Sequence, residues 1–262
     1  MLLAAVGCAV VVALTGCSRP SGTAAAAAGA PSARSAYTLL QMNLCLSGLA
    51  GCYRKVQYPA AVNEAVARIR DAHPDAVTFN EACSDDVARI ARQTGYHWRF
   101  STVIYYGKPF TCIRPGGRGL FGDAVLTRAA VASSDDHAFK AQAGPEQRRW
   151  LCVGTRGGVD VCTGHLASPE PDEMAANGPQ CAELESLLAR LAAYRTVIFG
   201  GDLNRRSPCA PSGFWIRTDG SARQDPGSQH VYGTGALASP SARVLPATHT
   251  DHDVLLVRAH LG

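Results

Sequence analysis

Short apolar segments rich in β-branched residues recur along most of this chain, and this pattern limits its fold more than any other feature. Segments of this kind, such as "YTLLQMNL", "DAVTFNEA" and "TVIFGGDLN", predict strands. Two longer segments, Tyr58–His73 and Cys181–Tyr194, carry apolar residues at helical spacing and predict helices. Strands outnumber helices and both occur throughout, so we expect an α/β domain in which sheet packs on sheet with helices outside.

Polar side chains stand at one end of five of these apolar segments. Acids and histidines are rarely buried unless they are paired or bind a ligand, so their repeated place at strand ends suggests one shared site. Carboxylate and amide oxygens together suit a hard cation such as Mg²⁺, and nearby imidazoles suit phosphoryl chemistry. The residues concerned are Asn43, Glu81, His165, Asp202, Asn204, Asp251 and His252.

The first 36 residues do not read as part of the folded domain. Residues 1–17 form an apolar segment that predicts a signal peptide, because the segment is shorter than a typical transmembrane helix. Its end, "LTGC", resembles a bacterial lipoprotein box, which implies lipid attachment to Cys17. No Lys or Arg precedes the segment, so ordinary secretion is the alternative. Residues 18–36 are rich in Ala, Ser, Gly and Pro and predict a tether, and the domain then covers residues 37–262.

Eight of the ten cysteines follow the predicted signal peptide. An even number of cysteines in an exported chain predicts disulfides. The sequence contains no C-x-x-C motif and no paired histidine motif, so a zinc site is not expected. Cys152 and Cys162 are equidistant from Gly157, so a hairpin turning at Arg156–Gly158 would place them opposite each other. Sequence order suggests the other pairs, which sequence alone cannot fix: Cys45–Cys52, Cys83–Cys112 and Cys181–Cys209.

Five short motifs in order resemble those of the endonuclease/exonuclease/phosphatase superfamily, which includes the deoxyribonuclease I-like enzymes. They are "QMNL", "FNEA", "TGHL", "GGDLN" and "TDH", and the resemblance covers residues 37–262. The resemblance implies a four-layer α-β-β-α sandwich with two packed mixed sheets and flanking helices. It also implies divalent-metal-dependent cleavage of a phosphoester by attack of water. The predicted signal peptide, in turn, places this enzyme at the cell surface or in the medium.

The resemblance assigns a metal-binding role to three of the strand-end residues. Glu81 would bind the metal with Asn43 beside it, and Asp251 would assist. Mg²⁺ is the expected ion, with Mn²⁺ or Ca²⁺ as alternatives.

The same resemblance gives catalytic roles to the other four. Asp202 would activate the attacking water, and Asn204 would hold the scissile phosphate. His165 would bind a phosphate oxygen or protonate the leaving group, and His252 would act as a general base or acid.

Two positions depart from the pattern of the superfamily. Gln229 stands where members carry an aspartate paired with the last histidine, and an amide cannot stabilise an imidazolium as a carboxylate does. Asp123 stands in place of a usual asparagine. Because Gln229 is neutral, its presence puts in question the strength of His252 as a base.

Arginines near the site bear on the substrate. The formal net charge is +4, which permits an anionic partner without requiring one. Arg205, Arg206 and Arg149 are candidates for binding substrate phosphates, and Arg148, which precedes the same strand as Arg149, could face phosphate in its place. Such arginines favour a nuclease or another phosphodiesterase, which we expect to be extracellular and monomeric. A phosphoesterase for inositol phosphates or lipids is the alternative, although the sequence shows no apolar membrane-docking loop. A non-catalytic surface binding protein is the third hypothesis.

Overall fold

Two six-stranded sheets form the centre of the computed structural model, which describes residues 36–262. The predicted signal peptide, Cys17 and all but the last residue of the predicted tether lie outside the described residues. The helices are α1 (Ala60–Ala72), α2 (Ser84–Thr94) and α3 (Met174–Ala192), with a 3₁₀ turn at Gly51–Arg54. The strands are β1 (Ala36–Asn43), β2 (Ala76–Cys83), β3 (His97–Thr102), β4 (Ile104–Tyr105), β5 (Lys108–Pro109), β6 (Phe121–Thr127), β7 (Val131–Ala138), β8 (Glu146–Gln147), β9 (Arg149–Thr155), β10 (Val159–Gly164), β11 (Thr196–Asp202), β12 (Trp215–Thr218), β13 (Gln229–Gly233), β14 (Leu237–Leu245) and β15 (Val254–Leu261).

Both large sheets are mixed. The first has the strand order β14-β15-β1-β2-β6-β3, and the second has the order β12-β13-β11-β10-β9-β7. Strand β1 runs parallel to β2, and β10 runs parallel to β11, whereas the other neighbours are antiparallel. The two parallel pairs therefore bring the ends of β1, β2, β10 and β11 to the edges where the predicted site residues stand. A small third sheet has the order β5-β4-β8.

Three apolar cores divide the domain into four layers. Because side chains alternate along a strand, Leu39 faces the second sheet while Leu40 faces the helices. The middle core joins the two sheets, the first outer core packs α1 and α2 on the first sheet, and the second outer core packs α3 on the second sheet. The predicted four-layer α-β-β-α sandwich is confirmed.

Helix α3 begins earlier than its sequence pattern predicts. The predicted start was Cys181, whereas the helix starts at Met174 and contains Gly178 and Pro179, which are both poor helix formers. Tertiary contacts hold this first part in place. The Asn177 side chain donates to the carbonyl oxygens of residues 167 and 203, at 2.7 and 3.0 Å, and the Gln180 side chain accepts the amide of residue 167 at 2.7 Å.

Four disulfides join the cysteines in the predicted pairs. The hairpin disulfide, Cys152–Cys162, links directly opposed residues of β9 and β10 with a Cα–Cα distance of 4.1 Å. The others are Cys45–Cys52, Cys83–Cys112 and Cys181–Cys209. Such bonds are compatible with an extracellular protein. Within residues 36–262, no helix has the length and apolar character needed to cross a bilayer.

Candidate active site

The side chain of Asn43 joins the two sheets at the site. Asn43 ends β1, and its Nδ2 atom donates to Glu81 Oε1 at 2.8 Å and to Asp202 Oδ2 at 3.0 Å. Its amide oxygen accepts the backbone N–H of Cys45 at 3.0 Å. The amide nitrogen thus faces both acids, so Asn43 positions the two carboxylates in this arrangement instead of presenting an oxygen beside them.

Asp202, Asn204 and His165 form one continuous hydrogen-bonded group. Asp202 Oδ1 accepts the Asn204 backbone N–H at 2.9 Å, and Asn204 Nδ2 lies 3.1 Å from His165 Nε2. Asn204 has a φ of 50°, which is uncommon for a residue with a side chain. This turn directs its amide back towards His165, where it also donates to the Leu166 carbonyl at 3.0 Å.

The segment before β15 brings Asp251 and His252 to the same place. His252 Nε2 lies 3.8 Å from Asp202 Oδ2. Asp251 contributes to the electrostatic environment of both Glu81 and His252. Two buried atoms, Asp251 Oδ1 and His252 Nδ1, have no hydrogen-bond partner. The structure therefore gathers all seven of the predicted metal-binding and catalytic residues.

Burial and neighbouring charges shift the pKa values of His165 and His252 in opposite directions. Burial and the Arg148 guanidinium lower the pKa of His165 to about 3, so this ring is neutral at physiological pH. Burial also lowers the pKa of His252, but the carboxylates of Asp202, Asp251 and Glu81 outweigh it and raise the pKa above its ordinary value. His252 is therefore the better proton donor of the two.

The carboxylates also differ. Burial raises the pKa of Glu81 to about 7, and its hydrogen bond from Asn43 offsets only part of that rise. Burial likewise raises the pKa of Asp251. Burial acts in the same direction on Asp202, but His252 and His165 outweigh it and lower the pKa of Asp202. Asp202 is therefore the acid best suited to remain ionised.

Glu81 and Asp251 fit a divalent cation. Asp251 is buried and Glu81 is partly buried, and among the described residues neither forms an ion pair with Lys or Arg. The unpartnered Asp251 Oδ1 atom is the oxygen that such an ion would satisfy. The sulfurs of Cys45 and Cys52 lie within 4.8 Å of a carboxylate oxygen of Asp251, but they form a disulfide and are not thiolate ligands.

The three predicted phosphate-binding arginines have different surroundings. Arg149 is held away from the group by Asp136, at 2.7 Å, and by Ser101 Oγ, at 3.1 Å. Arg205 donates to Ser207 and to Asn177. Arg206 lines a depression of about 200 Å³ beside Asn204, together with Arg205, Pro169, Asp225, Pro226 and Ser228.

Arg148, and not Arg149, is the arginine that reaches the site. Its Nη1 atom lies 2.9 Å from His165 Nδ1, and its guanidinium pairs with Glu146 at 3.1 Å and Glu173 at 3.0 Å. This group lines a cleft of about 430 Å³ that also contains Glu81, His165 and Asn204, with aromatic walls formed by Tyr105, Phe110 and Phe121. A depression of about 510 Å³ along α1 contains none of the site residues.

Asn80 is a buried residue of the site that the sequence patterns did not single out. Its Oδ1 atom accepts the Asp202 backbone N–H at 2.8 Å and Gln41 Nε2 at 2.7 Å. Its Nδ2 atom donates to Asp123 Oδ1 at 2.9 Å and to the Gly164 carbonyl at 3.3 Å. Asn80 thus fixes the backbone beside both Asp202 and His165. Its place directly before Glu81 at the end of an apolar strand was the available signal.

Comparisons with known proteins agree with this architecture. The model of the Endonuclease/Exonuclease/phosphatase family matches residues 49–252. The fold is similar to TDP2 from C. elegans, with a TM-score of 0.65, 16% identity and coverage of 86% of this chain and 75% of that one. It is also similar to an endonuclease/exonuclease/phosphatase from Beutenbergia cavernae DSM 12333, with a TM-score of 0.64, 18% identity and coverage of 88% and 72%.

A third similar structure is D. rerio TDP2 complexed with a single-strand DNA product. Its TM-score is 0.60 and its identity 13%, and the match covers 86% of this chain and 99% of that one. No curated protein sequence gave a significant match. At these identities, the similar structures establish the fold alone.

Proposed function

This chain belongs to the endonuclease/exonuclease/phosphatase family, and we propose that it is an extracellular, divalent-metal-dependent phosphodiesterase of the nuclease type. Enzymes of this family generally hydrolyse phosphoesters and typically use divalent metal ions. The observation that carries the proposal is the contact of Asn43 with both Glu81 and Asp202, because it joins a candidate metal ligand to a candidate base across two sheets.

Glu81 and Asp251 would hold the metal, with Mg²⁺ as the expected ion and Mn²⁺ or Ca²⁺ as alternatives. When bound, such an ion neutralises charge on a phosphate oxygen as a Lewis acid. Asn43 orients Glu81 through the 2.8 Å hydrogen bond and in this way keeps its carboxylate at the site.

Asp202 accepts a proton from the attacking water, for which its lowered pKa keeps it ionised. Attack forms a new bond between water oxygen and phosphorus and breaks the ester bond to the leaving oxygen. Asn204 and the neutral His165 bind phosphate oxygens. His252, whose pKa the surrounding carboxylates raise, supplies a proton to the leaving oxygen, and the low pKa of His165 favours phosphate binding as its own role.

A nucleic acid is the substrate that the surroundings favour first. Arg206 is exposed beside Asn204, where it can contact a phosphate next to the scissile one. The DNA product bound by the D. rerio neighbour supports a phosphodiester substrate on this fold. The four disulfides support action outside the cell, either as a secreted protein or anchored to the outer face of the plasma membrane through Cys17.

A lipid phosphodiester is the second candidate. Leu49, which lines the cleft beside Arg148, is 46% exposed, and Tyr106, which follows the cleft residue Tyr105, is 75% exposed. Exposed apolar side chains at the mouth of a site can enter a bilayer surface. Within the described chain, the cationic side chain lining this cleft is Arg148, which Glu146 and Glu173 already neutralise, so the cleft disfavours inositol polyphosphates.

The test is hydrolysis of plasmid DNA, RNA, sphingomyelin vesicles and bis-p-nitrophenyl phosphate by the purified protein, with Mg²⁺ or with EDTA. We expect Mg²⁺-dependent cleavage of nucleic acid and of the chromogenic diester. His165→Ala should lose this activity, while the matched control His97→Ala, at an exposed position, should retain it. A strong preference for sphingomyelin would support the second candidate. Absence of metal-dependent turnover on every substrate would favour a non-catalytic binding protein.

A further inference from the structure

A fully buried carboxylate outside the catalytic group lies behind β13. Asp219 follows β12 and is 0% exposed. Its Oδ1 atom accepts the backbone N–H groups of Gly227, at 2.8 Å, and Gln229, at 3.1 Å, and its Oδ2 atom accepts Gln229 Nε2 at 3.1 Å. Among the described residues, it has no ion pair with Lys or Arg. A buried acid without a cation is costly, so a specific role is expected of it.

Gln229 links this carboxylate to the segment that carries His252. The same Nε2 atom that donates to Asp219 also donates to the backbone carbonyl of Asp253 at 2.7 Å. Gln229 is also the β13 residue paired with Asp202 of β11. It therefore lies between the proposed base and the residue that follows His252.

The position of the His252 ring depends on its backbone. His252 Nδ1 is buried and has no hydrogen-bond partner, and His252 Nε2 is 3.8 Å from Asp202 Oδ2, too far for a hydrogen bond. Because neither ring nitrogen is hydrogen-bonded in the described structure, the orientation of the imidazole depends strongly on the main chain on either side. The Gln229 contact holds the backbone carbonyl of Asp253, while the Asp253 carboxylate accepts the backbone N–H groups of Arg223 and Ala247, both at 2.9 Å.

We infer that Asp219 is a positioning residue that acts through Gln229 to hold the 251–253 segment, and with it His252, against the catalytic group. This inference rests on the proposed function. It also gives a reason for glutamine at position 229, where the sequence resemblance predicts aspartate. An aspartate there would place two carboxylates against each other and would leave the Asp253 carbonyl without its donor.

The test is a double-mutant cycle with near-isosteric changes: Asp219→Asn, Gln229→Met and the two combined. Asp219→Asn keeps an oxygen for the two backbone N–H groups, and Gln229→Met keeps the length of the side chain. With bis-p-nitrophenyl phosphate and saturating Mg²⁺, we expect each single variant to lower kcat by about tenfold or more, because a small displacement of a catalytic group costs this much. KM should change by less than about twofold, and the double variant should match Gln229→Met, because both changes break one linkage.

The matched control is Asp160→Asn. Asp160 is another buried acid of the second sheet, but it pairs with Arg195 at 2.9 Å, remote from the site contacts described above. This variant should lower the melting temperature without changing kcat. A merely structural role of Asp219 would give the same pattern, so unchanged kcat in Asp219→Asn would overturn the inference. Losses that multiply in the double variant would overturn it as well.

Hydrogen exchange provides a readout that does not require activity. We expect Asp219→Asn and Gln229→Met to accelerate amide exchange in a peptide covering residues 248–254 by about tenfold, while Asp160→Asn leaves that peptide unchanged. Wild-type exchange in Asp219→Asn would contradict the inference. A wild-type enzyme without metal-dependent turnover would contradict the proposed function instead, and the exchange rates would still decide the role of Asp219.

Discussion

Asp123→Asn should make the free energy of unfolding of the protein less dependent on pH between pH 5 and pH 8. Asp123 lies on β6, is buried, and accepts a 2.9 Å hydrogen bond from Asn80 Nδ2. Burial raises the pKa of Asp123 from 3.8 to about 7, and the Asn80 bond and Arg148 offset only part of that rise. An asparagine has nearly the same shape and can still accept the hydrogen bond through its oxygen, so the substitution removes the buried charge and little else.

The sign and size of the effect follow from linkage. Because the folded state binds this proton more tightly than the unfolded state, the contribution of Asp123 to stability falls as pH rises from about 4 to about 7 and is constant above that. Between pH 5 and pH 8, a folded pKa of about 7 corresponds to a loss of about 2–3 kcal/mol. The Asp123→Asn protein lacks this loss, whereas the contributions of other acids occur in both proteins and cancel in the comparison.

Urea unfolding at pH 5 and pH 8 measures the difference directly. We expect the free energy of unfolding to fall by about 2–3 kcal/mol more in the wild type than in Asp123→Asn. Asp71→Asn, on the exposed side of α1, controls for the loss of one negative charge. The reasoning is refuted if Asp123→Asn and the wild type lose the same stability over this range.

Three further variants test other parts of the site. Glu81→Gln should weaken Mg²⁺ binding, measured by calorimetry, by about tenfold or more, and unchanged affinity would exclude Glu81 as a ligand. Replacing Cys45 and Cys52 by serine should lower kcat, because Cys52 Sγ lies 3.9 Å from Glu81 Oε2 and the Cys45 amide holds Asn43, whereas removing the hairpin disulfide should affect mainly thermal stability. Arg206→Ala should weaken DNA binding and reduce its logarithmic salt slope by about one, and an unchanged slope would show that Arg206 does not contact phosphate.

The sequence predicts the main site residues because each stands where an apolar strand stops. Asn43, Asp202 and His165 follow or end such strands, and the parallel β1–β2 and β10–β11 pairs bring those ends together. The side-chain directions at Glu81 were not predictable. Glu81 has a φ of 54°, and the β2–β6 register shifts between Phe79 and Ala82, so the regular alternation fails there.

The choice between Arg148 and Arg149 shows a second limit of prediction from the sequence. Neighbouring residues at the start of a strand point in opposite directions, so the sequence alone does not say which arginine reaches the site. Arg149 is bound by Asp136 of β7, a polar and mostly exposed strand without the apolar pattern that predicts one. Because the sequence pattern does not predict β7, the pairing of Arg149 with Asp136 could not be foreseen. The structure places Arg148 beside His165 instead.

Asp202→Asn provides the most direct test of metal-dependent phosphodiester hydrolysis at this site. The change keeps the shape of a side chain that accepts hydrogen bonds from Asn43 and Asn204, but it removes the proton acceptor. With bis-p-nitrophenyl phosphate, we predict Mg²⁺-dependent turnover that EDTA abolishes in the wild type, and a kcat lowered by about 10²- to 10⁴-fold in a folded Asp202→Asn protein. Turnover by Asp202→Asn equal to the wild type, or wild-type turnover that persists in EDTA, would contradict this assignment.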